Sequence, residues 1–539
     1  MRTADKERVL VEVTSRVLER RVEAANNGGM PLENLLNDTL FHERKRLERE
    51  PPSGYRDADM AVWNEVGRVL GHAPEEQLRD LLKRILERYV LEIMGNFNET
   101  FYNLTTNMMP VGLGLMLNGL SPKRILQPGQ LVPSLHDSVR LSGEIDQLQK
   151  LQHRGTVLLV PTHCSHMDSI ALGWALHELG LPPFLYGAGF NLFMNPIMGF
   201  FMGNLGAYRV DRKKKNGLYK EVLKVYATYA LELGYHNLFF PGGTRSRSGE
   251  VEQNLKLGLA GTGLEAYIQN LANGKMHPRV FVVPVTLSFP LVLEAETLIE
   301  DHLKEAGKAR YIITDDEFSR PRRVWKFMKD VIRLEASIHV RFCPALDVFG
   351  NRVDDDGNSI DTRGRRIDTT RYVLVDGIPT PDEQRDREYT SELGRAISRS
   401  FRSNNVALST HLLAFAIFRM LEDRNPELDL YRLLRTGGGG DGLQMTEVYA
   451  VMDALLAAVR EDAQEGRIVL NPALQERSTA DVVGEALRYF GSYHVHHVLE
   501  RRGDRLFAED MNLLYFYHNR LTGHGLESRI DAVIRGEPS

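Results

Sequence analysis

Apolar residues recur at three- and four-residue intervals over residues 9–23, 31–49 and 75–94, a spacing that predicts amphipathic helices near the N-terminus. From about residue 130 the pattern changes. Short apolar runs at 156–160, 237–240, 280–287 and 337–342 read as strands, and the longer periodic stretches 169–179, 218–233 and 257–271 read as helices. Strands alternating with helices predict an α/β fold, a mainly parallel sheet covered by helices. A polar excursion at 351–370, with Asp354-Asp-Asp356 and Arg363-Gly-Arg-Arg366, reads as a hairpin. The remainder is helical again, broken at Gly437-Gly-Gly-Gly-Asp-Gly442. The expected division is an N-terminal helical region, residues 1–125, an α/β domain, 126–350, and a mostly helical C-terminal region, 351–539. No internal repeat is visible.

One stretch departs from this alternation. Residues 179–208 contain no charged side chain, long enough to suggest a membrane span. Pro182, Pro183, Pro196 and several glycines and asparagines break it, and lipid does not tolerate the backbone groups so freed. It therefore reads as a broken apolar segment, either core or dipping into a membrane interface. The lysine run Lys213–Lys215 beside it would suit an anionic bilayer or simply form a solvated turn. A second apolar, glycine-rich stretch, residues 108–120, is too short to span.

Composition narrows the class. At 539 residues the chain exceeds what one core normally serves. A net charge of -5, with no basic stripe interleaved with aromatics, argues against nucleic acid as a partner. Two cysteines, Cys164 and Cys343, make neither a disulfide framework nor a thiolate metal site, which suits a reducing compartment. No signal-peptide pattern opens the sequence, so the sequons at Asn98 and Asn103 are expected to be idle.

The chemistry concentrates where the 156–160 run ends. His163 is followed five residues later by Asp168, in Thr162-His-Cys-Ser-His-Met-Asp168. A neutral imidazole can take a proton from an alcohol near neutral pH, and a carboxylate at its other nitrogen fixes the tautomer. With His163 before a helix and Asp168 in its first turn, the chain can fold one onto the other. Ser165-His-Met-Asp168 also fits a capping box, and both roles can hold at once. Cys164 is a poor nucleophile candidate, because neighbouring residues at a strand end rarely face each other. His494, His496 and His497 have metal-like spacing on an expected helix, but no acidic or cysteine partner completes a site. Arg212 and Lys213 follow one apolar run, and Gly243-Thr-Arg-Ser246 follows another. Glycines admit backbone N–H groups to an oxyanion, and the planar arginine fork suits a phosphate.

Taken in order, these segments resemble the glycerolipid acyltransferase superfamily, most closely its bacterial glycerol-3-phosphate acyltransferase branch. His163-Cys-Ser-His-Met-Asp168 matches the HxxxxD block, Gly206-Ala-Tyr-Arg-Val-Asp-Arg212 the second, Phe240–Gly249 the third, and Val283-Pro-Val285 the fourth. Gly189-Phe-Asn-Leu192, Leu293-Glu-Ala-Glu-Thr297 and Leu514-Tyr-Phe-Tyr-His-Asn-Arg520 resemble segments around them. The resemblance implies an acyltransferase-type fold with His163 as general base and Asp168 as its partner. It further implies that Arg212, Lys213, Gly243, Thr244, Arg245 and Ser246 hold the acceptor phosphate and that Pro284 shapes the acyl pocket. The implied reaction moves an acyl group from acyl-CoA or acyl-carrier protein to the sn-1 hydroxyl of glycerol 3-phosphate, with no metal or cofactor, in phospholipid synthesis. The protein would then sit peripherally or monotopically on the cytoplasmic face of the cell membrane.

Two departures bear on this. The third block usually carries a glutamate where this chain has Gly242, and the second ends Val-Asp-Arg, nearer the 1-acylglycerol-3-phosphate branch. Lysophosphatidate and dihydroxyacetone phosphate therefore stand as alternative acceptors. A non-catalytic, membrane-associated binding protein is the alternative from another class, and hydrolysis of the thioester a third outcome.

Overall fold

The computed structural model describes residues 1–71, 73–103, 139–190, 193, 196–306, 337–437, 440–492, 494 and 496–536. The expected stretch 108–120, residues 104 and 105 of the second sequon, and Asn191 and Leu192 of the segment before the second block lie outside these residues.

The centre is a seven-stranded sheet of β1 (Val139–Gly143), β2 (Thr156–Pro161), β3 (Leu185–Gly189), β4 (Ala207–Val210), β5 (Asn237–Leu238), β6 (Val280–Ser288) and β7 (Ile338–Phe342). Their order across the sheet is β1-β7-β6-β2-β5-β3-β4. Every neighbouring pair is parallel except β6 with β7, so β1 and β7 run against the other five. The α/β architecture with a mainly parallel sheet is thus the one expected from the alternation. Strands β2 and β6 are buried at every position, as continuous apolar runs rather than alternating ones require when helices cover both faces. Proline in a central strand is unusual, because it cannot donate to the ladder. In β6 the missing donor of Pro284 falls in a gap, between the last β7 pair, Val285 with Phe342, and the isolated bridge Val282–Leu346.

Four helices precede the sheet: α1 (Thr3–Asn26), α2 (Leu32–Glu48), α3 (Gly54–Leu70) and α4 (Glu75–Ile93). Helix α3 is additional to the sequence expectation and is capped by Ser53, whose side chain accepts the Arg56 N–H at 3.2 Å. Around the sheet lie α5 (Ile145–Leu151), α6 (Met167–Glu178), α7 (Pro196–Asn204), α8 (Gly217–Glu232), α9 (Gly261–Ala272) and α10 (Ala295–Ala306). The N-terminal helices share one apolar core with α8, Leu185 of β3 and Tyr208 of the edge strand β4. Of the C-terminal helices, α11 (Glu383–Ser403) packs on α9 in a separate core, whereas α14 (Met445–Gln464), α15 (Thr479–Phe490), α16 (Met511–His518) and α17 (Glu527–Ile534) surround α12 (Ser409–Arg424), with α13 (Leu430–Thr436) against α16. Their core is continuous with the other face of the sheet.

The expected hairpin is present as Arg352–Val353 paired with Ser359–Ile360. The glycine break begins where α13 ends on Gly437 in the left-handed conformation, φ 70°. A small antiparallel hairpin, Leu499–Arg502 with Arg505–Ala508, interrupts the helices beyond it. The uncharged 179–208 stretch resolves into β3, α7 and the start of β4, and no described helix is long and apolar enough to cross a membrane.

Candidate active site

In a parallel sheet the loops leaving the carboxyl ends of the strands converge on one rim, the usual place for ligands. Four such loops meet here. His163 follows β2, Arg212 follows β4, residues 240–252 follow β5, and Glu294 follows β6.

The imidazole is held from several sides. Its Nδ1 lies 2.8 Å from Asp168 Oδ2, and its ring stacks on Phe240 with centroids 4.0 Å apart. The main chain is clamped as well: the His163 N–H donates to Glu252 Oε1 at 2.8 Å, and its carbonyl accepts the Ser246 N–H at 2.7 Å. Only 12% of the His163 side chain is exposed, and none of Asp168. With Nδ1 engaged by the carboxylate, Nε2 is the atom left to act as a base. Burial pushes the imidazole well below its ordinary value, assisted by His166, Arg245 and Arg212, so it stays neutral.

Asp168 Oδ2 also accepts the N–H groups of Cys164 at 2.7 Å and Ser165 at 3.0 Å. One oxygen therefore holds the turn before α6 and orients the histidine, but the expected capping box is only half formed, because the Ser165 hydroxyl donates to Glu294 and the N-cap His166 has no side-chain cap. Burial raises this carboxyl against those hydrogen bonds, and Oδ1 has no hydrogen-bond partner.

Arg212 and Arg245 share one neighbourhood, since each acts on the His163 charge and Arg245 also acts on Arg212. Crowding by protein and then the like charge of Arg245 hold the Arg212 guanidinium below its ordinary value. Arg245 is steadied by Glu294, 3.5 Å away. The fully buried Glu294 also accepts the Ser165 hydroxyl at 2.7 Å and the His166 N–H at 3.1 Å, tying the first and third blocks together. Gly243 sits at φ 73° in a turn closed by its own N–H to the Phe240 carbonyl at 3.0 Å. A Cβ there would lie 2.6 Å from Lys256 Cδ, so that lysine lies against the turn. Thr244 is exposed, and the Ser246 hydroxyl donates to the Glu250 carbonyl at 2.8 Å.

Two residues lie apart from this cluster. Lys213 points toward Glu50 of the N-terminal region, at 3.7 Å. Pro284 is inside the sheet, in register with Val160. Lys214 does not form a solvated basic run with its neighbours. Its side chain is buried, 2.7 Å from Glu92 and over the Tyr89 ring, because it has an ion partner to enter the interior with. His496 and His497 lie beyond the end of α15 rather than on a helix, and the buried His494 contacts the Tyr517 hydroxyl at 2.9 Å. Among the described residues no group of His, Cys, Asp or Glu is arranged to hold a metal ion. Burial pushes the Cys164 thiol up to about 12, which leaves no thiolate for nucleophilic chemistry.

Sequence reasoning did not single out Glu252, Glu294 or Arg520 for a role. Arg520, from the turn after α16, is buried and donates to Cys164 Sγ at 3.3 Å and the Leu287 carbonyl at 2.5 Å. A buried charge directly behind the first block comes from the far end of the chain.

Residues 143–288 match the acyltransferase family. This segment is an acyltransferase domain. Glycerol-3-phosphate acyltransferase of Pseudomonas fluorescens (strain Pf0-1) is 32% identical over 182 residues, 34% of this chain and 21% of the relative. The enzyme of that name from Pasteurella multocida (strain Pm70) is 34% identical over 167 residues, 31% of this chain and 20% of the relative. That from Xanthomonas axonopodis pv. citri (strain 306) is 32% identical over 160 residues, 29% of this chain and 17% of the relative. The chain thus spans about a fifth of the length of the curated relatives it matches, a distant homology carried by the acyltransferase domain.

Proposed function

We propose that the protein transfers a fatty acyl group from the thioester of acyl-CoA or acyl-carrier protein to the sn-1 hydroxyl of glycerol 3-phosphate. The observation that carries this reading is the convergence of Asp168, Arg212 and Arg245 on one neutral imidazole. The acceptor phosphate lies between Arg212 and Arg245, with the Gly243–Ser246 turn beside it, relieving the repulsion between the two guanidiniums. Its hydroxyl then meets His163 Nε2. The imidazole takes the hydroxyl proton as the oxygen attacks the thioester carbonyl, and Asp168 stabilises the imidazolium through Nδ1. The tetrahedral intermediate collapses with cleavage of the C–S bond, and the leaving thiolate takes the proton from Nε2. Ester, free thiol and neutral histidine result, without a covalent enzyme intermediate.

The acyl chain of such substrates is apolar, so we further assign the protein a peripheral position on the cytoplasmic membrane face. Support comes from Phe200 on α7, a large apolar side chain that is 58% exposed and in edge contact with Phe101. In the Val-Asp-Arg ending of the second block the aspartate shapes the loop. Asp211 is buried and accepts the Lys213 N–H at 2.9 Å, a turn-forming contact.

Acyl transfer from labelled acyl-CoA and acyl-carrier protein to glycerol 3-phosphate, lysophosphatidate and dihydroxyacetone phosphate, with wild type and His163→Ala in parallel, tests the reading. Product from glycerol 3-phosphate that is lost in the folded variant supports it. Product from another acceptor alone reassigns the substrate. Thioester hydrolysis, or donor binding without transfer, overturns it.

A further inference from the structure

Gly242 stands where the third block of the resembling family carries a glutamate, and the structure contains a carboxylate at that spot from elsewhere. A Cβ built on Gly242 would lie 2.9 Å from Glu252 Oε1 and 3.3 Å from Glu252 Cγ. The next nearest atom is the Thr244 carbonyl oxygen, at 3.3 Å. The face of Gly242 is therefore filled by the end of the Glu252 side chain, which reaches back across the loop. That carboxyl is not idle. Its Oε1 accepts the His163 N–H at 2.8 Å, while its buried Oε2 has no hydrogen-bond partner.

From this we infer that Glu252 is a positioning residue for the proposed base, supplying from ten residues downstream the carboxyl that position 242 lacks. The inference rests on the acyl-transfer reading above. Glu252 and Ser246 grip the two sides of the His163 backbone, N–H and carbonyl, and Asp168 grips the ring. A histidine fixed at both levels keeps Nε2 at one place relative to the acceptor. Gly242 is the complement of this arrangement: a Cβ there would lie 2.9 Å from Glu252 Oε1, so the carboxyl would have to shift.

Burial pushes Glu252 up to about 8, so at neutral pH it is mainly an uncharged acid. Glutamine reproduces that form, with an oxygen still able to accept the His163 N–H. Glu252→Gln is expected to retain activity and Glu252→Ala to lose about 100-fold in kcat, the scale of a misplaced catalytic group, with KM little changed.

The decisive experiment is a double-mutant cycle on the full chain. Wild type, Glu252→Ala, Gly242→Glu and the pair Gly242→Glu/Glu252→Ala are compared by kcat and by thermal unfolding. The pair returns a carboxyl to the same space from the other side of the loop and is expected to recover at least about tenfold over Glu252→Ala. A milder cycle covers the case in which Gly242→Glu fails to fold. Gly242→Ala lowers kcat when Glu252 is present, because its Cβ displaces the carboxyl, and has no further effect in Glu252→Ala. Additive losses in both cycles, or recovery of thermal stability without recovery of kcat, overturn the inference while leaving acyl transfer intact. A wild type inactive toward every acceptor overturns the acyl-transfer reading and the positioning role with it.

Discussion

Two clusters of buried charge lie on opposite sides of the loop that carries Arg212, and they are built on different rules. In the N-terminal region, Arg46 meets Glu43 at 2.9 Å and Glu50 at 3.1 Å, and Asp59 is shared between Arg46 and Arg88. Lys214 completes the set with Glu92 at 2.7 Å, and Tyr89 and Asn216 donate to Glu43. Each ion has a partner of opposite sign. Around His163 the pairing is less even: Glu294 lies 3.5 Å from Arg245, yet Arg245 also faces the like charge of Arg212. Arg212 and Arg245 repel each other, Asp168 and Glu252 are both raised by burial, and each of these carboxyls keeps one unpartnered oxygen. The first arrangement holds backbone in place. The second leaves charged groups and carboxyls shifted from their ordinary values beside one histidine, the pattern expected of the proposed active site.

Removing one member from each cluster should break them in opposite ways. His163→Ala is expected to cost about 10²–10⁴-fold in kcat, the usual worth of a general base, with a melting temperature close to wild type. A comparable loss in stability would place His163 with the structural ions instead.

Lys214→Met reverses the pattern. It leaves Glu92 and Glu43 without their lysine in the interior, a cost of about 3–5 kcal/mol in unfolding free energy. The fraction still folded should keep most of its turnover, because Lys214 touches neither His163 nor the third-block turn. Chemical denaturation and active-site-normalised kcat read the two quantities separately. A collapse of kcat in fully folded K214M would show that the network governs the Arg212 loop during turnover.

The contrast also explains what was legible in the sequence. His163 and Asp168 could be paired because both lie on one short strand-to-helix turn, and β2 and β6 because buried parallel strands are continuous apolar runs. Strand β3 was hidden, and β4 showed only as the apolar, strand-like run before Arg212. They are five and four residues long, and they sit in an uncharged stretch where their apolar signal merges with that of α7. Lys214 and its neighbours read as a solvated run because sequence does not display an ion partner more than a hundred residues away. Glu252 escaped for a related reason. Its carboxyl reaches His163 through the shape of a loop, and the only local trace was the glycine at 242 that makes room for it. Arg520 lies 356 residues from the thiol it touches.

A smaller effect distinguishes the two arginines of the site from the structural ones. Arg212→Lys keeps the charge but loses the planar fork, and should raise the KM for a phosphorylated acceptor about tenfold, or about 1.4 kcal/mol, with kcat little altered. Arg245→Lys should do the same and additionally loosen the contact with Glu294. Equal KM values for both variants and wild type would remove the arginines from acceptor binding and leave the like-charge pair unexplained.

The mildest perturbation is acid, and it acts through a third set of buried groups. His411, His518 and His524, all in the C-terminal region, are pushed by burial to about 3, 4 and 4. In the unfolded chain each titrates near its ordinary 6.5. Between those limits the unfolded state binds protons that the folded state refuses, so stability falls as pH falls, by up to about 1.4 kcal/mol per pH unit for each group. Asp168 and Glu252 act in the opposite sense. Raised to about 7 and about 8, they carry protons in the folded state that the unfolded chain has released, so their contribution weakens as pH rises instead. The histidines dominate below about pH 6.5, and unfolding titrations should show stability dropping from there toward pH 4. Replacing His411 by glutamine removes one titrating group, and its side-chain N–H can still donate to the Phe289 carbonyl that faces His411 Nε2 at 3.2 Å. That variant should show a shallower acid slope, by up to about 1.4 kcal/mol per pH unit, whatever its stability at neutral pH. An unchanged slope would mean that His411 takes up no proton on unfolding, and would leave the acid lability to His518 and His524.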